Sequence, residues 1–157
     1  MAVSLDKIDY EILRCLLEDG RASYSLIAKR VNLTDVAIKK RLQSLFKRGI
    51  IKSITPQLNL EVLGYENPIF VQIRSDASKT KDVLKRLELF DYVAEVYKTL
   101  GEFNLLVKIV LPKLGLADDF ISKISTIDGI NDIKTLVVLD KVKNTECLPA
   151  SLLQKKL

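Results

Sequence analysis

Apolar residues recur at three- and four-residue steps through the first third of the chain, and mostly at two-residue steps in the strands of the remainder. Leu5, Ile8, Ile12, Leu16 and Leu17 place a single stripe on a helix predicted from about Asp6 to Glu18. Asp6 and Asp9 suit its positive N-terminal end, and Asp19-Gly20 is a stop signal. Ser23 is positioned to cap a second helix, Tyr24 to Val31, with Leu26, Ile27 and Val31 inward. Asn32-Leu33 forms the turn. Thr34 caps a third helix, Asp35 to Arg48, which Gly49 closes. Ile38, Leu42 and Leu45 share its inner face. Ile50 to Ile54 reads as a strand, halted by Thr55-Pro56. Helix, turn, helix and returning strand make residues 1–55 a winged helix-turn-helix, and residues 56–67 are expected to be a hinge.

From Ile69 the pattern predicts the order βαββαβ. The strands are Ile69–Arg74, Val93–Thr99, Asn104–Leu111 and Ile133–Asp140. The helices are one capped by Ser78 and ending near Phe90, with Val83, Leu84 and Leu87 inward, and one from Leu116 to Ile127, with Phe120, Ile121 and Ile124 inward. The fold class is therefore α+β: a winged helix-turn-helix followed, over residues 68–142, by a ferredoxin-like domain with an antiparallel sheet and both helices on one face. Its strands are apolar on both sides. Leu105, Val107 and Ile109 oppose Leu106 and Val110, and Val137 and Leu139 oppose Leu136 and Val138. A sheet face without helices would then be a large exposed apolar patch. The same face of a second copy is the simplest cover, so a homodimer, or a higher even-numbered homo-oligomer, is expected. Residues 143–157 form a tail that either packs on a neighbouring subunit or frays.

Charge adds a partner to this picture. Residues 1–60 hold eleven Lys/Arg against six Asp/Glu, while residues 61–157 hold fourteen of each. Between Arg21 and Lys52 there are nine basic side chains and one acidic one. Basic charge confined to a helix-turn-helix points to double-stranded DNA. The outer face of the third helix is centred on Lys40, with Val36, Ala37, Gln43, Ser44 and Lys47 around it. Lys donates to guanine, Gln pairs with adenine, and Val or Ala meets a thymine methyl. Lys39 and Arg41 lie on the flanks, with Arg48, and are assigned to phosphates, and Thr34 stands at the helix start. The competing reading is an ordinary solvated face. The capped frame around the helix favours the groove.

Other chemistry is sparse. The chain has no histidine, which removes imidazole acid-base catalysis and histidine-ligated metal. Cys15 lies on an apolar stripe and Cys147 is far away, so neither a disulfide framework nor a thiolate cluster is expected. No phosphate-binding glycine loop appears, and no cofactor or metal is expected. No apolar run approaches a membrane span and the start lacks a secretory signal, so a cytoplasmic, non-membrane protein is expected.

Several segments resemble the Lrp/AsnC, or feast/famine, family of transcription regulators. In the first half these are Leu5 to Leu13, Asp19 to Ser23, Ala28 to Thr34, Arg41 to Leu45, Gly49 to Ile51 and Leu63-Gly64-Tyr65. In the second half, Val96 to Asn104 resembles the family's glycine-centred effector motif, and Gly129-Ile130 with Thr135 fits the approach to its last strand. The resemblance implies a DNA-reading domain joined to a dimerising, effector-binding one, with amino acids as the usual effectors. Carried over, the effector residues are Leu100, Gly101, Glu102, Phe103, Asn104 and Thr135. Two of them depart from the pattern. Asn104 stands where many members have Asp, and Leu100 precedes the glycine where small or polar residues are common. An amide receives an ammonium less strongly than a carboxylate, so these departures weaken amino-acid binding or change which ligand fits. Gly101-Glu102 also reads simply as a hairpin turn.

The expected function is thus sequence-specific DNA-binding regulation, controlled by an amino acid or related effector. A low-specificity, chromatin-like role is an alternative, and a winged helix that binds protein is another. Some siroheme decarboxylases resemble this family, but they are expected to use histidine, so no enzymatic activity is expected.

Overall fold

The computed structural model describes residues 4–143; the expected tail, with Cys147, lies almost wholly outside the described residues. The chain divides into two compact units, the first running to Gln57 and the second from Leu58 to Val142.

In the first unit, α1 spans Lys7–Glu18, α2 Tyr24–Val31 and α3 Asp35–Lys47. Local chemistry explains each boundary. The Asp6 side chain accepts from the Asp9 amide, while Asp9 reaches back to the Asp6 amide, closing a capping box. Ser23 and Thr34 cap α2 and α3 through the amides of Leu26 and Ala37. Asn32, left-handed at φ 54°, makes the sharp turn between α2 and α3. Ile12, Cys15, Ile27, Ala28, Ile38, Leu42 and Leu45 form the core. Leu26 does not join it: it is exposed, and Ala28 occupies the inward position instead.

The strand expected over Ile50 to Ile54 is not formed. The amides of Ile50 and Ile51 both donate to the Leu45 carbonyl, at 3.0 and 3.3 Å, closing the end of α3. Their side chains pack against the helical core. Those amides are therefore engaged in a helix end, not a ladder, and the segment expected to be the wing has no assigned strand.

The second unit contains β1 (Ile69–Ser75), α4 (Thr80–Leu87), β2 (Val93–Lys98), β3 (Leu105–Ile109), α5 (Ala117–Ser125) and β4 (Ile130–Val137). A single 3-10 turn, Leu114–Leu116, precedes α5. The sheet order is β2-β3-β1-β4 and every pairing is antiparallel. This is the expected split βαβ arrangement. Ile69, Val71, Ile73, Leu105, Val107 and Ile109 are buried, packed with Val83 and Leu87 of α4 and Ala117, Phe120 and Ile124 of α5. Phe120 also meets Phe90 and Tyr92 edge-on, at centroid distances of 5.4 and 5.8 Å.

Several boundaries differ from expectation; β3, expected from Asn104 to Leu111, is three residues shorter, and α5, expected from Leu116 to Ile127, is also three shorter. Ser78 does not cap α4; its hydroxyl and amide both bond to Asp76, an Asx turn that delays the helix to Thr80. That helix also ends at Leu87, before Phe90. β4 begins three residues earlier and ends at Val137, because its extent follows its partner: Ile69 faces Val137 and Ser75 faces Ile130. The opposite sheet face carries Phe70, Gln72 and Arg74 of β1 beside Leu106 and Lys108 of β3, Glu95 and Tyr97 of β2, and Lys134 and Leu136 of β4. Lys108 and Glu95 pair across it at 2.8 Å. Lys108 first, then the Tyr97 hydroxyl, holds the Glu95 carboxyl below the usual range, while Glu95 raises the Tyr97 phenol.

Candidate DNA interface and effector loop

Helix α3 presents two chemically distinct flanks. Val36, Lys39, Lys40, Gln43, Ser44 and Lys47 are exposed, Val36 at 64%. Ala37 is half-buried beside them. Thr34 is exposed but its hydroxyl is engaged by the Ala37 amide at 3.2 Å. Nearly all of the proposed reading face is therefore open to a ligand.

Arg41 is placed differently. Its Nη1 donates to Asp6 Oδ2 at 2.7 Å and to Asp9 Oδ1 at 2.8 Å. Asp6 first, with Asp9, raises the already high Arg41 pKa, so the guanidinium stays charged. Arg48, two turns further on the same flank, donates to the Ser4 carbonyl and lies 3.7 Å from Asp9. Arg21 and Arg30 pair with Asp19 and Glu18. Arg14 pairs with Glu11 at 2.6 Å. All five arginines of this unit are thus matched by carboxylates. Among the described residues no carboxylate is within ion-pair distance of Lys29, Lys39, Lys40, Lys47 or Lys52. The basic excess read from the sequence resolves into arginines paired with carboxylates, of which Arg30, Arg41 and Arg48 join one helix to another, and lysines that face outward. Spacing could not separate them, because the partners of Arg41 and Arg48 lie more than thirty residues earlier in the chain.

The second site candidate is the β2–β3 hairpin. The Thr99 amide donates to the Asn104 carbonyl at 2.9 Å, and its hydroxyl to the Phe103 carbonyl at 2.6 Å, closing the loop. Gly101 has φ 127°, which a side chain would strain. Leu100 is fully exposed at the tip, and Phe103 and Asn104 are half-buried. Glu102 pairs with Arg74 at 3.2 Å, and Arg74 also approaches Asp132 at 3.5 Å. The amides of Leu100 to Phe103 donate to no acceptor among the described residues.

Asn104 is occupied within the fold. Its Oδ1 accepts from the Ser75 amide at 2.8 Å and from the Ser75 hydroxyl at 3.1 Å. Its Nδ2 donates to the Ser75 carbonyl at 3.1 Å. The side chain thus continues the β1–β3 pairing past the last ladder residue. Thr135 does not gather with the loop: it faces Val71 on edge strand β4, with β1 between it and β3. One copy of the chain therefore does not enclose all six proposed effector residues in one cleft. Gly129 is a functional-looking glycine with a structural reason: it has φ 94°, and a Cβ there would lie 2.6 Å from Lys79 Cβ.

A lysine-faced helix-turn-helix followed by a ferredoxin-like unit defines a class of two-domain DNA-binding proteins. Residues 5–45 match the AsnC-type helix-turn-helix domain and residues 69–148 the Lrp/AsnC ligand-binding domain. The HTH-type transcriptional regulator FL11 of Pyrococcus abyssi is 34% identical over 95% of this chain and 99% of its own. The structure of Escherichia coli AsnC superposes with a TM-score of 0.87, at 29% identity, over 94% of this chain and 100% of that one. The feast or famine regulatory protein Rv3291c of M. tuberculosis, solved with L-methionine, gives a TM-score of 0.84 at 27% identity, over 92% and 99% of the two chains. The chain belongs to the Lrp/AsnC family of transcription regulators, with a DNA-binding unit and an effector-type domain.

Proposed function

We propose that the chain is a sequence-specific transcription regulator that reads the major groove with α3, as a dimer, under control of a small effector. The observation that carries this reading is the division of cations on α3: Lys40 and Lys47 are exposed and, among the described residues, unpaired beside Gln43, Ser44 and Val36, whereas Arg41 and Arg48 are held by carboxylates. Lys40, Gln43 and Val36 are assigned to base edges, with Ala37 and Ser44 beside them. Lys39, Lys47 and the Thr34 end of the helix are assigned to the phosphate backbone. Residues 1–55 serve as the DNA-binding domain, 56–67 as the hinge and 68–142 as the effector and assembly domain.

The uncovered sheet face mixes apolar residues with Gln72, Arg74, Glu95, Lys108 and Lys134, and its apolar part supports the dimer. Leu136 is 42% and Tyr97 48% exposed on it, beside half-buried Phe70 and Leu106, and a second copy would cover them. The unengaged amides of Leu100 to Phe103 suit a carboxylate, consistent with an amino-acid effector such as the methionine bound by Rv3291c. The effector's ammonium would go to a group other than Asn104, which its own subunit already engages. Because Thr135 is remote from the loop, a complete site would draw on more than one subunit. We read the protein as a binding protein and not an enzyme on its family, and as cytoplasmic on its partner. Among the described residues no helix is long and apolar enough to cross a membrane.

Selection of bound sequences from a random duplex pool at near-physiological salt tests this reading. Two α3 helices on a twofold axis are expected to recover a pseudo-palindrome with half-sites about one helical turn apart. Binding without enrichment would show a packaging role, and no binding would remove DNA as the partner.

A further inference from the structure

The acidic N-terminal end of α1 has no evident place in a DNA-binding surface, since carboxylates repel phosphates. Asp9 is nevertheless among the most buried polar residues of the chain, at 6% exposure. Its Oδ1 accepts from Arg41 Nη1 at 2.8 Å, and its Oδ2 lies 3.7 Å from Arg48 Nη1. Asp6 adds a second acceptor for Arg41 at 2.7 Å, and the capping box fixes both carboxylates on the first turn of α1. Arg41 and Arg48 are seven residues apart, which puts them on one flank of α3 about 10 Å apart along its axis. Two long side chains, one from the middle of α3 and one from its C-cap two turns on, therefore converge on one buried carboxylate.

We propose that Asp9 is a positioning residue for DNA recognition: through Arg41 and Arg48 it sets the roll and axial register of α3, and so the aim of Lys40, Gln43 and Lys47. The apolar contacts of Ile38, Leu42 and Leu45 hold α3 against the core but are non-directional. Charge-assisted hydrogen bonds have preferred directions and distances, and they resist sliding and rolling where apolar packing does not. Arg41 accordingly acts through α1 and makes no phosphate contact.

Charge counting and positioning predict opposite outcomes. Asp9→Asn removes a negative charge from a DNA-binding unit, which by counterion release alone tightens binding. With Asp9 as the anchor, the same change loosens α3 and weakens binding. The test measures affinity of the full chain for the duplex recovered by selection, across a salt series, at a temperature where circular dichroism shows the variant folded. Asp9→Asn is expected to lose about tenfold in affinity, the scale of one lost base contact, with the salt slope of the wild type. Arg41→Lys keeps the charge, but its Nζ ends one bond short of the Nη1 that bridges Asp6 and Asp9, and it is expected to fall similarly. Asp9→Asn binding as tightly as wild type or tighter would overturn the proposal, as would Arg41→Lys binding like wild type. If Asp9→Asn does not fold, Arg41→Lys decides alone. Wild-type binding to the same duplex separates a failure here from a failure of the DNA assignment.

Discussion

Asn104 shows how a single side chain can look like a ligand-binding group and be used by the fold. Its amide accepts from the backbone N–H of Ser75 and donates to the backbone carbonyl of the same residue. An aspartate can reproduce only the first of these and would set a carboxylate against the Ser75 carbonyl. Asn104→Asp is therefore expected to lower stability by about 1–3 kcal/mol. Denaturant unfolding checks this, and an unchanged midpoint would contradict it. Asp6 makes a prediction in pH. The Asp9 amide first, and then Arg41 against the opposing effect of burial, hold its carboxyl below the ordinary range. A carboxyl lowered on folding stabilises the folded state above its unfolded pKa, and that contribution is lost as pH falls through the folded pKa. Asp6→Asn is expected to melt below wild type at neutral pH, with the gap closing as pH falls below about 3.9. A gap independent of pH in thermal melts would rule out the charge as its source.

At the scale of elements, what was legible in the sequence is what is determined locally. Ser23 and Thr34 cap the helices they precede, because a hydroxyl reaches an amide three residues away without help from the rest of the chain. Ile50 to Ile54 has the composition of a strand, but its first two amides bond to Leu45 and it has no paired strand. The apolar run Leu136 to Leu139 drew the expected last strand toward the C-terminus, whereas β1 sets its actual limits. The roles of Arg41 and Arg48 were illegible for the same reason, since their carboxylates lie on another helix. The pair Asp6 and Asp9, one turn apart, is the available hint, and spacing alone ties it to the helix dipole. Gly129 belongs at this scale too, where the chain passes from α5 into β4 against Lys79 at the N-cap of α4. Gly129→Ala is expected to destabilise the unit by about 1–3 kcal/mol, from a left-handed backbone and a forced contact. A thermal midpoint equal to wild type would contradict that close approach.

At the scale of the whole molecule, the two units present different kinds of surface. The first offers lysines on α3, and the second offers a sheet face with Phe70, Leu106, Tyr97 and Leu136 and no helix over it among the described residues. Leu106→Glu, near the middle of that face, is expected to give a monomer by sedimentation equilibrium, because a second copy would have to bury an unpaired carboxylate. A dimer unchanged by this substitution would place the interface elsewhere. The DNA assignment is tested most directly by the salt dependence of binding for wild type, Lys47→Ala and Lys40→Ala. If α3 faces the duplex, Lys47→Ala weakens binding and reduces the slope of log affinity against log salt by about one. Lys40→Ala also alters the preferred sequence. Wild-type affinity, slope and preference in both variants would contradict it.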